Sequence, residues 1–290
     1  DQFSAAEKVR LWRGLSASYY RLGSRADTRR LWKQVAAQQG KDVNIRVSLF
    51  QLAKDEGDDV QMQEALDEIE KLAGRDSGEW KFAEASRLLW MFRGGLAGKE
   101  SLSEARHRVQ EVRQLRPDWS ALLRLEAEIL LVDGDVDASI ESLKSSLEVS
   151  PGEPRVIRRL AQLLTLRGRH EEAEQVLDQL SAAQQTTSDE RTKGLLMERN
   201  LNIEGARKAA AKIVEAGSKN PSDHLWYARL LSKAGQHDQA EAAARTAVQL
   251  APAGAENWLA LVQLLASQGK TAAAEAVVRD AQLSLPENQL

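Results

Sequence analysis

A period of about 34 residues constrains this chain more than any other feature, because such a period marks stacked supersecondary units, none of which buries its apolar face alone. The block Gly134-Asp135-Val136-Asp137-Ala138-Ser139-Ile140-Glu141 returns as Gly168-Arg169-His170-Glu171-Glu172-Ala173-Glu174, and again at Gly235-Gln236-His237 and Gly269-Lys270-Thr271. Gly23 to Gly57, Gly134 to Gly168 and Gly235 to Gly269 each span one period, as do Pro117 to Pro151 and Pro252 to Pro286. Gly168 to Gly235 falls one short of two periods, with an imperfect repeat around Gly205, and Gly57 to Gly134 exceeds two periods by nine. The extra residues are placed around Arg93-Gly94-Gly95-Leu96-Ala97-Gly98-Lys99. Eight units then fill the chain, at about 4–41, 42–77, 78–117, 118–151, 152–187, 188–220, 221–252 and 253–286.

The recurring residues have physical roles. A glycine after the first helix of a unit takes the left-handed backbone that ends it. Five residues on, Thr28, Ala105, Ser139, Ala173, Ala210, Ala240 and Ala274 are slim enough to let paired helices approach. Four further on, Trp32, Leu66, Val109, Leu143, Leu177, Val214 and Val278 fill the space between pairs. Proline stops the second helix, with Gly40 and Gly74 in its place in the first two units. Apolar spacing is helical, as in Leu122-Leu123-Arg124-Leu125-Glu126-Ala127-Glu128-Ile129, and no stretch keeps the period of two that a strand needs. The expected fold is all-α: a solenoid of about eight helix–turn–helix repeats forming a single domain over 1–290, less regular at 78–117 and 182–220.

These residues resemble the tetratricopeptide repeat family, over essentially the whole chain, and Trp258-Leu259-Ala260-Leu261-Val262 is similar to the family's opening signature. The resemblance implies a right-handed superhelix whose first helices line a concave groove, where extended peptides or partner helices bind. Carried onto this sequence, the groove positions include Arg10, Arg13, Tyr20, Arg21, Lys54, Arg124, Arg155, Arg158, Arg229 and Lys233, opposed by Asp55, Glu128 and Glu256. The groove is therefore expected to be basic, although the chain carries a net charge of −3. Arginine pairs two carboxylate oxygens at once, so an acidic segment of a partner protein is the expected cargo. The family's chaperone-tail clamp uses paired Lys and Asn residues at set positions, where this chain has Arg13 and Ala17 in the first repeat and Val47 and Gln51 in the second; the asparagines are missing, and that function is not carried over.

Other chemistry finds little support. Without cysteine there are no disulfides, thiol nucleophiles or thiolate metal sites. His170 and His237 share one repeat position in separated units, which suits packing better than metal ligation. Gly94-Gly95-Leu96-Ala97-Gly98-Lys99-Glu100-Ser101 has the wrong spacing for a phosphate loop and puts Glu100 where a magnesium-binding hydroxyl belongs. No catalytic, cofactor or metal residue is assigned. The expectation is a non-enzymatic scaffold or adaptor; the alternatives are a recruiting or assembly arm of a larger enzyme or cell-envelope complex, or a binder of an anionic polymer. Nucleic acid is not expected, for want of a basic excess. Trp80 and Trp90 are the tryptophans best placed for exposed contacts, against a reading in which all seven pack between repeats.

No apolar run reaches the roughly 18 residues that span a bilayer. The chain opens Asp1-Gln2-Phe3-Ser4 without a signal peptide or initiating Met, as a processed or excised piece would. Ala274, Val277, Val278, Ala281 and Leu285 form a stripe on the last helix with only five residues beyond. That predicts either continuation past Leu290 or an end-to-end contact with another chain; the alternative is a stripe left half-exposed.

Overall fold

Local capping chemistry starts eight of the helices. Side chains of Ser4, Asp42, Asp58, Ser77, Asp135, Thr186, Asn202 and Asn220 accept N–H groups from the first turns that follow them. Pro154 and Pro221 open two helices where no N–H is needed. The computed structural model describes residues 3–285, with the backbone alone at Arg21.

Among the described residues there are sixteen α-helices and no strand: α1 (Ala5–Arg21), α2 (Arg25–Gln38), α3 (Val43–Glu56), α4 (Asp59–Ala73), α5 (Gly78–Arg93), α6 (Lys99–Leu115), α7 (Ser120–Val132), α8 (Val136–Val149), α9 (Pro154–Leu166), α10 (His170–Leu177), α11 (Thr187–Arg199), α12 (Ile203–Glu215), α13 (Pro221–Lys233), α14 (His237–Leu250), α15 (Ala255–Ser267) and α16 (Thr271–Ser284). They pair as eight helix–turn–helix repeats, one in each expected unit. The chain divides into two compact units, 1–151 and 152–290. In the first, α1 to α8 stack in order and the first helices α3, α5 and α7 touch in turn; in the second, α9 to α16 stack likewise and α13 meets α15.

The turn glycines behave as their chemistry requires: Gly23, Gly57, Gly134, Gly168, Gly235 and Gly269 have φ between +72° and +82°. At the slim position Thr28, Ala105, Ser139, Ala173 and Ala240 are fully buried, and Met62 fills it in the second repeat. Leu66, Val109, Leu143 and Leu177 are buried between pairs.

Four expectations are corrected. The sixth turn is not at Gly205, which lies inside α12. It is at Leu201, one period before Gly235, and the φ of Leu201 is +62°. Leu201 N–H donates to the Glu198 carbonyl and Asn202 N–H to the Met197 carbonyl, as Gly134 and Asp135 do to Leu131 and Leu130 in the fourth repeat. The slim position of that repeat is therefore the buried Ala206, and Ala210 takes the inter-pair place assigned to Val214.

The extra residues of the third repeat do not all sit in its loop. Residues 94–98 make a five-residue turn, and the remainder lengthens the helices: α5 and α6 have 16 and 17 residues, against 13 and 14 in α7 and α8. Trp80 is buried, not exposed, because it enters the cluster of Phe50, Met62, Leu66 and Ile69. Arg75 and Arg108 lie over its ring, 5.6 and 5.7 Å from the centroid. Finally, the stripe on α16 is mostly covered: Ala274, Val277 and Ala281 are buried in the cluster with Leu261 and Leu265 or close beside it, and Val278 stays 41% exposed.

Candidate functional site

In the first unit the expected groove cations differ in how far they are engaged. Arg10 is exposed on α1, and Lys54 and Arg124 are half-buried on α3 and α7; none has an ion-pair partner among the described residues. Arg13 donates to Gln39 Oε1 at 2.6 Å and pairs with Asp42, the cap of the next repeat. Tyr20 stacks on Trp32 at 5.9 Å, lies under the Arg25 guanidinium and donates to Asp55. The Arg21 side chain lies outside the described residues. Of the expected opposing acids, Asp55 is taken up by Tyr20 and Arg25, and Glu128 pairs with Arg93 at 3.0 Å.

In the second unit most of the cations are tied into the scaffold. Arg158 on α9 forks onto Asp189 of α11 through two bonds of 2.8 and 2.9 Å, and also donates to the Gln184 carbonyl. One repeat on, Arg191 of α11 forks in the same way onto Asp223 of α13, at 2.8 and 2.6 Å. Both aspartates are buried. Burial pushes the Asp189 carboxyl up, but the Arg158 and Thr186 hydrogen bonds outweigh it and hold the group below its ordinary value. Asp223 is lowered chiefly by the Arg191 hydrogen bond, against burial. Sequence reasoning misses Arg191 because it sets the register of the sixth repeat on Gly205; counting from Leu201 places it at the position of Arg158. Arg155 is exposed at the start of α9.

Arg229 and Lys233 share a different acid. Glu198, at the end of α11, accepts from Arg229 Nη2 at 3.1 Å, Lys233 Nζ at 2.8 Å and Trp226 Nε1 at 3.0 Å. Burial raises the Glu198 carboxyl, and these donors more than reverse the effect, so it is held low. Trp226 itself is seated by a close approach: a Cβ on Gly194 would fall 2.5 Å from its ring. Beside this cluster a cleft of about 560 Å³ opens between α13 and α15. Leu225, Ala228, Ala260 and Leu264 give it an apolar floor, with Arg229 and Lys233 at its rim.

Among the described residues no group of three or more His, Asp or Glu side chains is placed to hold a metal. His170 is half-buried, whereas His237 is exposed, so packing explains only the first. No described helix is long and apolar enough to cross a membrane.

Stacked helix pairs, slim positions between paired helices and a cleft between successive first helices define an α-helical repeat scaffold. Tetratricopeptide repeat models match residues 130–196 and 227–288. Those segments carry tetratricopeptide repeats, and the eight helix pairs have the fold of tetratricopeptide-repeat proteins. The C-terminal part of a TPR repeat-containing protein from Cytophaga hutchinsonii is similar in structure, with 13% identity and a TM-score of 0.56 over 84% of this chain and 95% of that one. A chain of the APC/C hetero-tetramer Cut9–Hcn1 is 12% identical with a TM-score of 0.55, over 93% of this chain and 52% of that one. The MamA protein is 14% identical with a TM-score of 0.50, over 57% of this chain and 91% of that one. At these identities the likeness establishes the fold alone. No curated protein matches the chain in sequence.

Proposed function

We propose that the chain is a non-enzymatic scaffold that holds an extended, acidic segment of a partner protein against the first helices of its repeats. In the second unit that segment lies in the cleft between α13 and α15. The observation that carries this reading is the cleft's chemistry: an apolar floor beside Arg229 and Lys233, whose side chains are 58% and 47% exposed. Two cations share the single Glu198 carboxylate there, so the rim keeps one positive charge in excess. An exposed ion pair contributes only ~0.2–1 kcal/mol, whereas micromolar binding needs about 8 kcal/mol. Burial of apolar side chains on the cleft floor therefore supplies most of the affinity, and charge selects the acidic partner. In the first unit Arg10, Lys54 and Arg124 are the cations available to a partner. Arg158 holds Asp189, so reversing its charge would test folding instead of binding.

The test is selection of binders from a displayed random-peptide library, followed by titration of the resynthesised peptides. Ala260→Trp should fill the cleft and weaken binding at least about tenfold, a change of roughly 1.4 kcal/mol, while the thermal unfolding temperature stays in place. Arg229→Glu should do the same to peptides that carry Asp or Glu. Equal affinity for the original chain and Ala260→Trp would remove the cleft from the reading.

A further inference from the structure

On the strength of that cleft reading, we infer that Glu198 is the internal occupant of a carboxylate subsite, and that a carboxylate of the bound segment replaces it on Trp226, Arg229 and Lys233. The three donors stand three and four residues apart on α13, which places them along one helix face. They meet one carboxylate: Trp226 and Arg229 on Oε2, Lys233 on Oε1. An indole, a guanidinium and an ammonium can only donate, so the subsite demands a group that only accepts, and a negative charge fits best.

An exchange preserves these bonds. Trp226 is 8% exposed, and leaving its N–H without an acceptor would cost the desolvation of a buried donor. A carboxylate arriving from the cleft meets the same three donors, so swapping one for the other changes little at the subsite. Burial of the segment's apolar side chain on the floor formed by Leu225, Ala228, Ala260 and Leu264 is then left to drive the exchange. The chemical class that follows is a segment with an apolar side chain close to an Asp, Glu or terminal carboxylate, and Glu198 sets the concentration at which it binds.

The Trp226 indole N–H signal in a ¹⁵N-labelled chain reads this exchange directly, with Trp226→Phe giving its assignment and the other six tryptophans serving as internal controls. The probes are N-acetyl-Leu-Glu-amide, N-acetyl-Leu-Gln-amide and inorganic phosphate, each to about 20 mM, enough to reveal a millimolar site. The glutamate peptide should shift the signal and the glutamine peptide should not. Glu198→Gln, which keeps an acceptor but removes the competing charge, should tighten the glutamate peptide by roughly fivefold, the size of one partly exposed ion pair. Lys233→Gln, at an exposed position, should weaken it by a similar factor. Equal shifts with both peptides would overturn the carboxylate subsite and leave the cleft reading intact. A stronger response to phosphate, no response at Trp226, or weaker binding by Glu198→Gln would overturn it as well. Failure of the cleft reading shows separately, as indifference of the selected peptides to Ala260→Trp.

Discussion

Leu201 carries the conformational cost of the sixth turn. Its φ of +62° puts a branched side chain where the other turns of this kind use glycine, and with 84% of its surface exposed it gains little from burial. Left-handed backbone costs an L-residue about 1–2 kcal/mol, and glycine gives back part of that through the entropy of the unfolded chain. Leu201→Gly should therefore stabilise the protein by about 0.5–1 kcal/mol, read as a higher urea midpoint with an unchanged slope. An unchanged or lower midpoint would mean that Leu201 makes a contact the solvent-facing side chain does not suggest. The residue is hard to find in the sequence because nothing in a leucine signals a turn; only its place one period before Gly235 does.

Between elements, the Arg158–Asp189 and Arg191–Asp223 forks join three successive first helices of the second unit, from α9 to α11 and from α11 to α13. Asp189, Asp223 and Glu198 are all held below the ordinary carboxylate value. A carboxyl whose folded value is depressed contributes stability that is present above its unfolded value, and loses it as pH falls through the folded one. The urea midpoint should thus be level from neutral pH down to about 4 and fall below it. Arg191→Gln should lower the midpoint at neutral pH and flatten the acid limb. An acid limb identical in that variant would show that the forks do not set it. Arginine at these positions is visible in the sequence for Arg158, but its engagement is not. Fork partners lie about one repeat away, and whether a fork forms depends on the register and burial of both side chains.

At the scale of the molecule, each compact unit has its own apolar clusters: Phe82, Leu89, Leu122 and Ile129 belong to one in the first, and Ala228, Leu231, Leu261 and Val277 to one in the second. Repeat stability is approximately a sum of local terms. Segments 1–151 and 152–290, expressed separately, should each show helical circular dichroism and a cooperative thermal transition. Unfolded segments beside a single transition for the whole chain would instead favour one array, the reading suggested by the full period from Gly134 to Gly168, which crosses the boundary between the units. The stacking also explains why Leu11 is 46% exposed while Ile45, Ala83 and Leu122, its counterparts in later repeats of the first unit, are buried: those are covered by neighbouring helices, and Leu11 is not.

The sequence by itself determined the all-helical class, the repeat length, the eight units, six of the glycine turns and all but one of the slim positions it assigned between helices. Each follows from local chemistry repeated at a fixed interval, with capping, left-handed glycine and small side chains acting on neighbours a few residues away. Only the tertiary structure decided which of these cations are engaged by acids of the chain itself. Arg10, Lys54 and Arg124 have no ion-pair partner among the described residues, whereas Arg13, Arg158, Arg229 and Lys233 hold acids 29, 31, 31 and 35 residues away. It also decided that Trp80 is core and that Trp226 closes on Glu198. Those outcomes depend on which faces meet when repeats stack, and a linear pattern of charges does not specify that.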